Sequence, residues 1–252
     1  MEVWGLTDTG NVREQNQDAY RIEHLGENAL LAVVCDGMGG ARSGNVASRL
    51  ASEVFSEEVK RSFSAEHTPQ EAERMLRSAA SLANIAVFEQ SQLSEEYSGM
   101  GTTLVAGLVY QDQLFCVNIG DSRLYIITEF EVRQITHDHS FVQYLLDYGK
   151  ITPEEARNYP RKNVITQAVG INPSAEADFF CVKLRDWGSG YLLLCSDGLS
   201  NFVDSKHMLE VLYSAPKGAD GKTDLDAAAS KLIELANAGG GTDNITAVLA
   251  QF

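Results

Sequence analysis

Three apolar runs in this chain lead into aspartates. Leu30–Cys35 runs into Asp36-Gly37, Leu114–Ile119 runs through Gly120 into Asp121, and Tyr191–Cys195 runs through Ser196 into Asp197-Gly198. Short apolar runs bounded by glycine read as buried strands, so each acid stands where a strand ends at the edge of a sheet. If the three ends meet, their carboxylates crowd, and two unit charges ~4 Å apart repel by roughly 4 kcal/mol at an effective dielectric near 20. A divalent cation is the usual reason for such an arrangement. Asp18, in Arg13-Glu14-Gln15-Asn16-Gln17-Asp18, and Asp243, in Gly240-Gly241-Thr242-Asp243-Asn244, stand ready to join them. Every candidate ligand is an oxygen, which suits Mg²⁺ or Mn²⁺, whereas Zn²⁺ calls for histidine or cysteine. Glycine after Asp36 and Asp197 lets the backbone bend so that a carbonyl also turns toward a metal. An Asp-Gly pair taken singly is most often a turn; the shared strand-end context carries the inference.

Other chemistries fare worse. Gly37-Met38-Gly39-Gly40-Ala41-Arg42 lies between a strand and a helix, but Arg42 occupies the place of the third glycine of a dinucleotide fingerprint. No phosphate-loop Gly-Lys-Ser/Thr is present. His137 and His139 flank Asp138 after a strand-like stretch and read as loop residues rather than ligands. Arg13 beside Glu14 reads, on its own, as a surface ion pair. Cys35, Cys116, Cys181 and Cys195 lie in apolar strand-like contexts without a C-x-x-C pair, which fits buried free thiols in a reducing compartment and disfavours a cysteine nucleophile.

The elements that must position these acids follow from periodicity. Strands are expected at about residues 2–8, 18–23 and 29–35. Two amphipathic helices come next, one with Val46, Ala47, Leu50, Ala51, Val54 and Phe55 on a face, the other opening on a Thr68-Pro69-Gln70-Glu71 capping box. Residues 101–136 contain four strand candidates, separated by connections so short that they are expected to join antiparallel neighbours. This excludes a doubly wound parallel fold. Residues 139–170 break the pattern with short helical pieces and a second capping box at Thr152-Pro153-Glu154-Glu155. Strands return at about 178–184 and 190–196, followed by helices at about 204–213 and 225–238 and a last strand at Ile245–Leu249. The expectation is one α+β domain of antiparallel sheets with helices stacked outside.

Composition narrows the partners. The 252 residues suffice for one large domain, and 44% hydrophobic with 22% charged residues is ordinary for a globular protein. The net charge of −15 argues against nucleic acid and against an anionic membrane surface. No signal peptide is evident and no apolar stretch reaches the roughly 18 residues that span a bilayer, so a cytoplasmic location is expected.

At this point an ordered set of motifs resembles a family. Arg13-x-x-Asn16-Gln17-Asp18, Asp36-Gly37-Met38-Gly39-Gly40, Gly99-Met100-Gly101-Thr102-Thr103, Gly120-Asp121-Ser122-Arg123, Asp138-His139-Ser140, Ser196-Asp197-Gly198-Leu199 and Gly241-Thr242-Asp243-Asn244-Ile245-Thr246 occur in that order. Each is weak alone; together they resemble the bacterial metal-dependent type 2C (PPM family) protein Ser/Thr phosphatases from about Leu6 to Val248. The resemblance implies a four-layer αββα sandwich and a centre of two Mn²⁺ or Mg²⁺ ions, with a third, weaker site. It implies that Asp36 bridges the two ions, that Asp197 and Asp243 hold the first, and that the Gly37 carbonyl holds the second. Asp18 matches a position that reaches the ions directly or through water, Asp121 a ligand of the third ion shared with Asp197, and Arg13 the clasp on the substrate phosphate. A bridging hydroxide would then attack phosphorus directly, without a phosphoenzyme.

The chain departs from relatives that carry a histidine where Met38 or Ala41 stands here, which leaves protonation of the leaving oxygen to a metal-bound water. Phosphorylated Ser/Thr proteins are the implied substrates and a Ser/Thr kinase the implied counterpart. The alternative is a non-catalytic or partner-specific regulatory module; non-catalytic relatives usually lose metal ligands, and here every matched ligand is present. An aspartyl-nucleophile phosphotransferase would need a D-x-D pair where Gly37-Met38 follow Asp36. Residues 139–170 are expected to form a flap beside the site, with Arg157, Arg161 and Lys162 offering positive charge to a phosphorylated peptide.

Overall fold

The apolar run at residues 30–35 decides the architecture. Successive strand side chains point to opposite faces, and here both faces are apolar, so the strand must be covered on both sides. In the computed structural model, which describes residues 1–39, 43–157, 159–160, 163–218 and 221–252, the run lies in β3 (Leu30–Met38). Leu31, Val33 and Cys35 pack toward helices, whereas Leu30, Ala32 and Val34 face a second sheet. β3 belongs to a sheet of order β2 (Asp18–His24), β3, β5 (Leu104–Tyr110), β6 (Gln113–Ile119), β9 (Asp178–Lys183), with the two-residue β4 (Gly101–Thr102) paired to the end of β3. The facing sheet has the order β1 (Glu2–Asp8), β11 (Ile245–Gln251), β10 (Tyr191–Cys195), β7 (Arg123–Ile127), β8 (Val132–Gln134). Every strand pairing is antiparallel.

Helices cover the two outer faces. α1 (Gly44–Ser62) and α2 (Pro69–Ser91) bury Ala47, Ala51, Phe55, Leu76, Ala79 and Ala83 against the β3 sheet. α2 starts at its capping box, with Thr68 N donating to Glu71 Oε2 at 2.8 Å and Glu71 N donating to Thr68 Oγ1 at 3.4 Å. α5 (Asp197–Ser200), α6 (Ser205–Ser214) and α7 (Leu225–Ala238) cover the other sheet through Leu199, Met208, Leu212, Leu232 and Ala236. Three apolar layers therefore separate four layers of structure, giving the expected αββα sandwich. Among the described residues no helix is long and apolar enough to cross a membrane.

The described residues of 139–170 form no strand of either sheet, although Val169 bridges Thr102 of β4, with Thr102 N donating to Val169 O at 3.0 Å and Val169 N to Thr102 O at 2.8 Å. α3 (Phe141–Asp147) buries none of its residues, and α4 (Pro153–Arg157) begins at the Thr152–Glu155 capping box. The segment after residue 162 is tied back, with Phe141 N donating to Val164 O at 2.8 Å and Thr166 N to His139 O at 2.7 Å. The Arg157 side chain, Arg161 and Lys162 lie outside the described residues, as do Gly40, Ala41 and Arg42.

Three local expectations are corrected. β3 does not stop at Cys35 but continues through Asp36, because Gly37 and Met38 pair with Thr102 and Gly101 of β4. The short Gly120–Ser122 connection does not join neighbours. It carries the chain from β6 in one sheet to β7 in the other, whereas the Gln111-Asp112 turn and the β7–β8 connection do make antiparallel hairpins. Cys181 is exposed, unlike the buried Cys35, Cys116 and Cys195, because β9 is an edge strand that leaves part of one face in solvent.

Candidate metal and phosphate site

Asp36 continues the inward-facing series Leu30, Ala32, Val34 at the open edge of the sandwich, and directly opposite it across the β2–β3 ladder stands Asp18. Like charges facing each other on adjacent strands are destabilising. The Asp36 backbone is clamped by the Gly101–Thr103 segment: Asp36 N donates to Thr103 Oγ1, and Thr103 N and Thr102 Oγ1 donate to Asp36 O, each at 2.9 Å. Gly37 has to be glycine, because a Cβ there would lie 2.1 Å from Gly44 O and 2.6 Å from Gln17 O.

The other sheet supplies its acids from the ends of β10 and β11. Asp197 opens α5; its Oδ2 accepts from Asn201 Nδ2 at 3.0 Å, and its Oδ1 is buried without a partner. A Cβ on Gly198 would lie 2.0 Å from Asn244 O, so the segments carrying Asp197 and Asp243 touch backbone to backbone. Asp243 Oδ1 accepts from Asn244 N at 2.9 Å and its Oδ2 from Arg13 Nη2 at 2.8 Å. The Arg13 loop is pinned by Asn244, whose Nδ2 donates to Thr9 O and Gln15 O at 2.9 Å each and whose Oδ1 accepts from Gln17 N at 2.8 Å.

Asp121 sits in the crossing between sheets. His139 Nδ1 accepts from Gly120 N at 3.2 Å, so its Nε2 carries the proton and donates to Asp178 Oδ2 at 3.1 Å. Beside it Arg123 donates to Asp138 through Nε at 2.9 Å and Nη2 at 2.6 Å, a two-pronged pair. His137 bonds Asp147 at 2.8 Å. Each of these histidines thus bonds an aspartate, Asp147 or Asp178.

Arg13, Asp36, Gly37, Asp121, Asp197 and Asp243 all line one cleft of ≈ 880 Å³, joined by Asn163 and Ile165 from the segment between β8 and β9. Asp18 does not line it. It lies beneath the floor, where its Oδ2 accepts from Ser196 Oγ at 2.7 Å and Thr246 Oγ1 at 2.6 Å and its Oδ1 is buried without a partner. Sequence reasoning missed these two hydroxyls and the pinning role of Asn244. The signal was available in part: Ser196 and Thr246 continue the inward parity of Leu194 and Val248.

The electrostatics are those of a site short of positive charge. Burial, then repulsion from Asp18, Asp197, Asp121 and Asp243, holds the Asp36 carboxyl well above the usual carboxylate range. Burial, then Asp243, raises Asp197. Asp18 is pushed up to about 7 by burial, with Asp197 and Asp243 adding to it against the two hydroxyl bonds. Asp121 is pushed up to about 8 by burial, then by Asp197 and Asp138, with Arg123 opposing. The hydrogen bond to Asp243 raises Arg13. Among the described residues no group of three or more His, Cys, Asp or Glu side chains is placed so that it could hold a metal ion. Mg²⁺-type ions take one or two carboxylates and keep several waters, so the carboxylates of Asp36, Asp121, Asp197 and Asp243 on the cleft, with an unpartnered buried oxygen on Asp197 and another beneath the floor on Asp18, fit them.

Comparisons with known proteins agree with this chemistry. A sequence profile described as Protein phosphatase 2C matches residues 11–227. A serine/threonine phosphatase stp from Listeria monocytogenes is 39% identical over 245 residues, covering 97% of this chain and 93% of that protein. The crystal structure of serine/threonine phosphatase Stp1 from Staphylococcus aureus superposes with a TM-score of 0.87 at 38% identity, covering 100% of this chain and 94% of that one. The catalytic domain of serine/threonine protein phosphatase PstP, in complex with 2 manganese ions, gives 0.81 at 35% identity, covering 98% and 96%.

Proposed function

The chain belongs to the protein phosphatase 2C family, and we propose that it is a metal-dependent phosphatase that removes phosphate from serine and threonine side chains of other proteins. The observation that carries this reading is the gathering of Asp36, Asp121, Asp197, Asp243 and Arg13, from both sheets and the loops between them, on a single cleft. In it Asp36 would bridge two cations, Asp197 and Asp243 would hold one, the Gly37 carbonyl the other, and Asp121 with Asp197 a third, weaker one. Asp18, under the floor, would act through water or through Asp36.

When bound, Mn²⁺ or Mg²⁺ supplies Lewis acidity, which makes water nucleophilic at neutral pH and offsets phosphoryl charge. The protein's own part is placement. Arg13, with a side chain 52% exposed, has room to turn from Asp243 and hold two phosphoryl oxygens with its guanidinium fork. Hydrolysis is proposed to be direct, without a covalent intermediate. Met38 lines it where relatives have histidine, so the general acid is not an imidazole at that position.

In this reading residues 1–252 are one catalytic domain and residues 139–170 a flap whose Asn163 and Ile165 edge the cleft where a phosphopeptide would lie. A cytoplasmic Ser/Thr kinase is the proposed counterpart. The retained acids speak against a non-catalytic module. The test is phosphate release from phosphoserine and phosphothreonine peptides. Chelator-treated protein should be inactive and regain activity with Mn²⁺ or Mg²⁺; full activity at a metal content verified as negligible would overturn the reading.

A further inference from the structure

The proposed centre is split between two sheets. Asp36 hangs from β3, whereas Asp197 and Asp243 hang from the ends of β10 and β11, and across most of the sandwich the two sheets are held together by apolar packing of Leu30, Val34, Leu194 and Val248. Such packing is non-directional and does not fix a spacing to the tolerance a metal site needs. At the cleft edge the seam changes character. Asp18, opposite Asp36 on β2, receives Ser196 Oγ at 2.7 Å and Thr246 Oγ1 at 2.6 Å from the far sheet, in a spot where all three side chains are buried. As a carboxylate Asp18 only accepts, so both hydroxyls donate to it. Thr246 Oγ1 is then left to accept from Thr7 Oγ1 at 2.7 Å, and Thr7 Oγ1 from Asn16 Nδ2 at 2.8 Å. Ser196 Oγ accepts from Thr246 N at 3.0 Å. Every proton in the chain has one direction, and each bond polarises the next.

We propose that Ser196 and Thr246 are positioning residues that bolt Asp18 across the seam and thereby set the distance between the Asp36 side and the Asp197/Asp243 side of the metal site. Neither hydroxyl touches the cleft; each acts through Asp18, one step behind the acids proposed to hold the ions. The inference rests on the metal-dependent reading above. It differs from a plain stability role because the bolt joins β2, whose Asp18 faces Asp36 across the ladder, to the ends of β10 and β11 beside Asp197 and Asp243.

The test compares Ser196→Ala, Thr246→Val and Thr246→Ser with wild type and with Ser52→Ala. Ser52→Ala removes another buried hydroxyl, one that bonds only within α1. Mn²⁺ affinity is read by calorimetry and ligand geometry by the EPR spectrum of bound Mn²⁺. Ser196→Ala and Thr246→Val are each expected to weaken Mn²⁺ binding by about tenfold or more, the range seen when outer-sphere partners of metal ligands are removed, and to change the EPR line shape. Thr246→Ser keeps the hydroxyl and should stay within about threefold of wild type, and Ser52→Ala should leave both readouts unchanged. Should Thr246→Val fail to fold, Ser196→Ala decides on the same readouts. Wild-type affinity and spectra in Ser196→Ala, or an equal loss in Ser52→Ala, would overturn the positioning role alone. Absence of Mn²⁺ binding by wild type would overturn the metal-dependent reading and this inference with it.

Discussion

Lowering the pH should stabilise this protein when its metals have been stripped, and adding Mn²⁺ should cancel most of that slope. Asp18 is pushed from 3.8 up to about 7 in the folded chain, by burial first. A carboxyl whose folded pKa is raised binds its proton more tightly when folded. Its stabilising protonation is complete below its unfolded pKa and is lost as pH climbs through the folded one. Between pH 8 and pH 5 linkage for this one group amounts to about 2–3 kcal/mol in favour of the acid side. Asp121, pushed up to about 8, works in the same direction, but both acids feel Asp197, so the two contributions do not simply add. The carboxyls held low by their partners, Glu58, Glu71, Asp147, Glu155 and Asp204, lose their contribution at lower pH than this window. The assay is urea unfolding of chelator-treated protein at pH 5, 6, 7 and 8 and fixed ionic strength. Stability should fall by a few kcal/mol from pH 5 to pH 8, and Asp18→Asn should flatten the slope. With Mn²⁺ at about 100 times its Kd, binding adds about 2.7 kcal/mol where the acids are ionised, so the fall toward pH 8 should be largely cancelled. A metal-free protein equally stable at both ends, or more stable at pH 8, would refute the reasoning that these carboxylates are forced together.

Three further outcomes follow from named contacts. Arg13→Ala should lower kcat/KM on phosphopeptides by about 10²-fold and leave Mn²⁺ affinity within a few-fold, since Arg13 contacts only one oxygen of Asp243; calorimetry and steady-state kinetics separate the two. Asn244→Ala removes three side-chain bonds to the Arg13 loop. It should cost about 2–3 kcal/mol in urea unfolding and raise KM as Arg13 loses its anchor. Gly198→Ala would drive a Cβ into Asn244 O, 2.0 Å away; thermal unfolding should report about 1–3 kcal/mol of overpacking, and displacement of Asp197 should weaken Mn²⁺ binding in the same variant.

Much of this was legible in the sequence because it is local. The strand of residues 30–35, the α2 capping box and the acids after apolar runs are readable from neighbours along the chain. What was not legible depends on which sheet a strand joins. The Gly120–Ser122 connection has the length of a hairpin, yet β6 is completed by β5 and β9 and β7 by β10 and β8, all decided by distant pairing. Asp36 looked like a strand end because β4, the partner that extends β3, is only two residues long and gives no periodic signal. For Asp18 the motif left open whether it reaches the ions directly or through water, because its burial below the floor depends on hydroxyls 178 and 228 residues away in the chain. The gathering of the acids was legible as motifs; the polar seam beneath them was not, because a serine and a threonine on inward positions leave no signature until the sheets are stacked.

The central claim, that the acid-lined cleft is a metal centre bridged by Asp36, is tested most directly by calorimetric Mn²⁺ titration of wild type beside Asp36→Asn. Wild type should take up two Mn²⁺ per chain, the number held by the PstP relative, and Asp36→Asn should lose measurable binding of both while keeping its circular dichroism and cooperative unfolding. An Asp36→Asn protein that binds Mn²⁺ with wild-type stoichiometry and affinity would contradict the account.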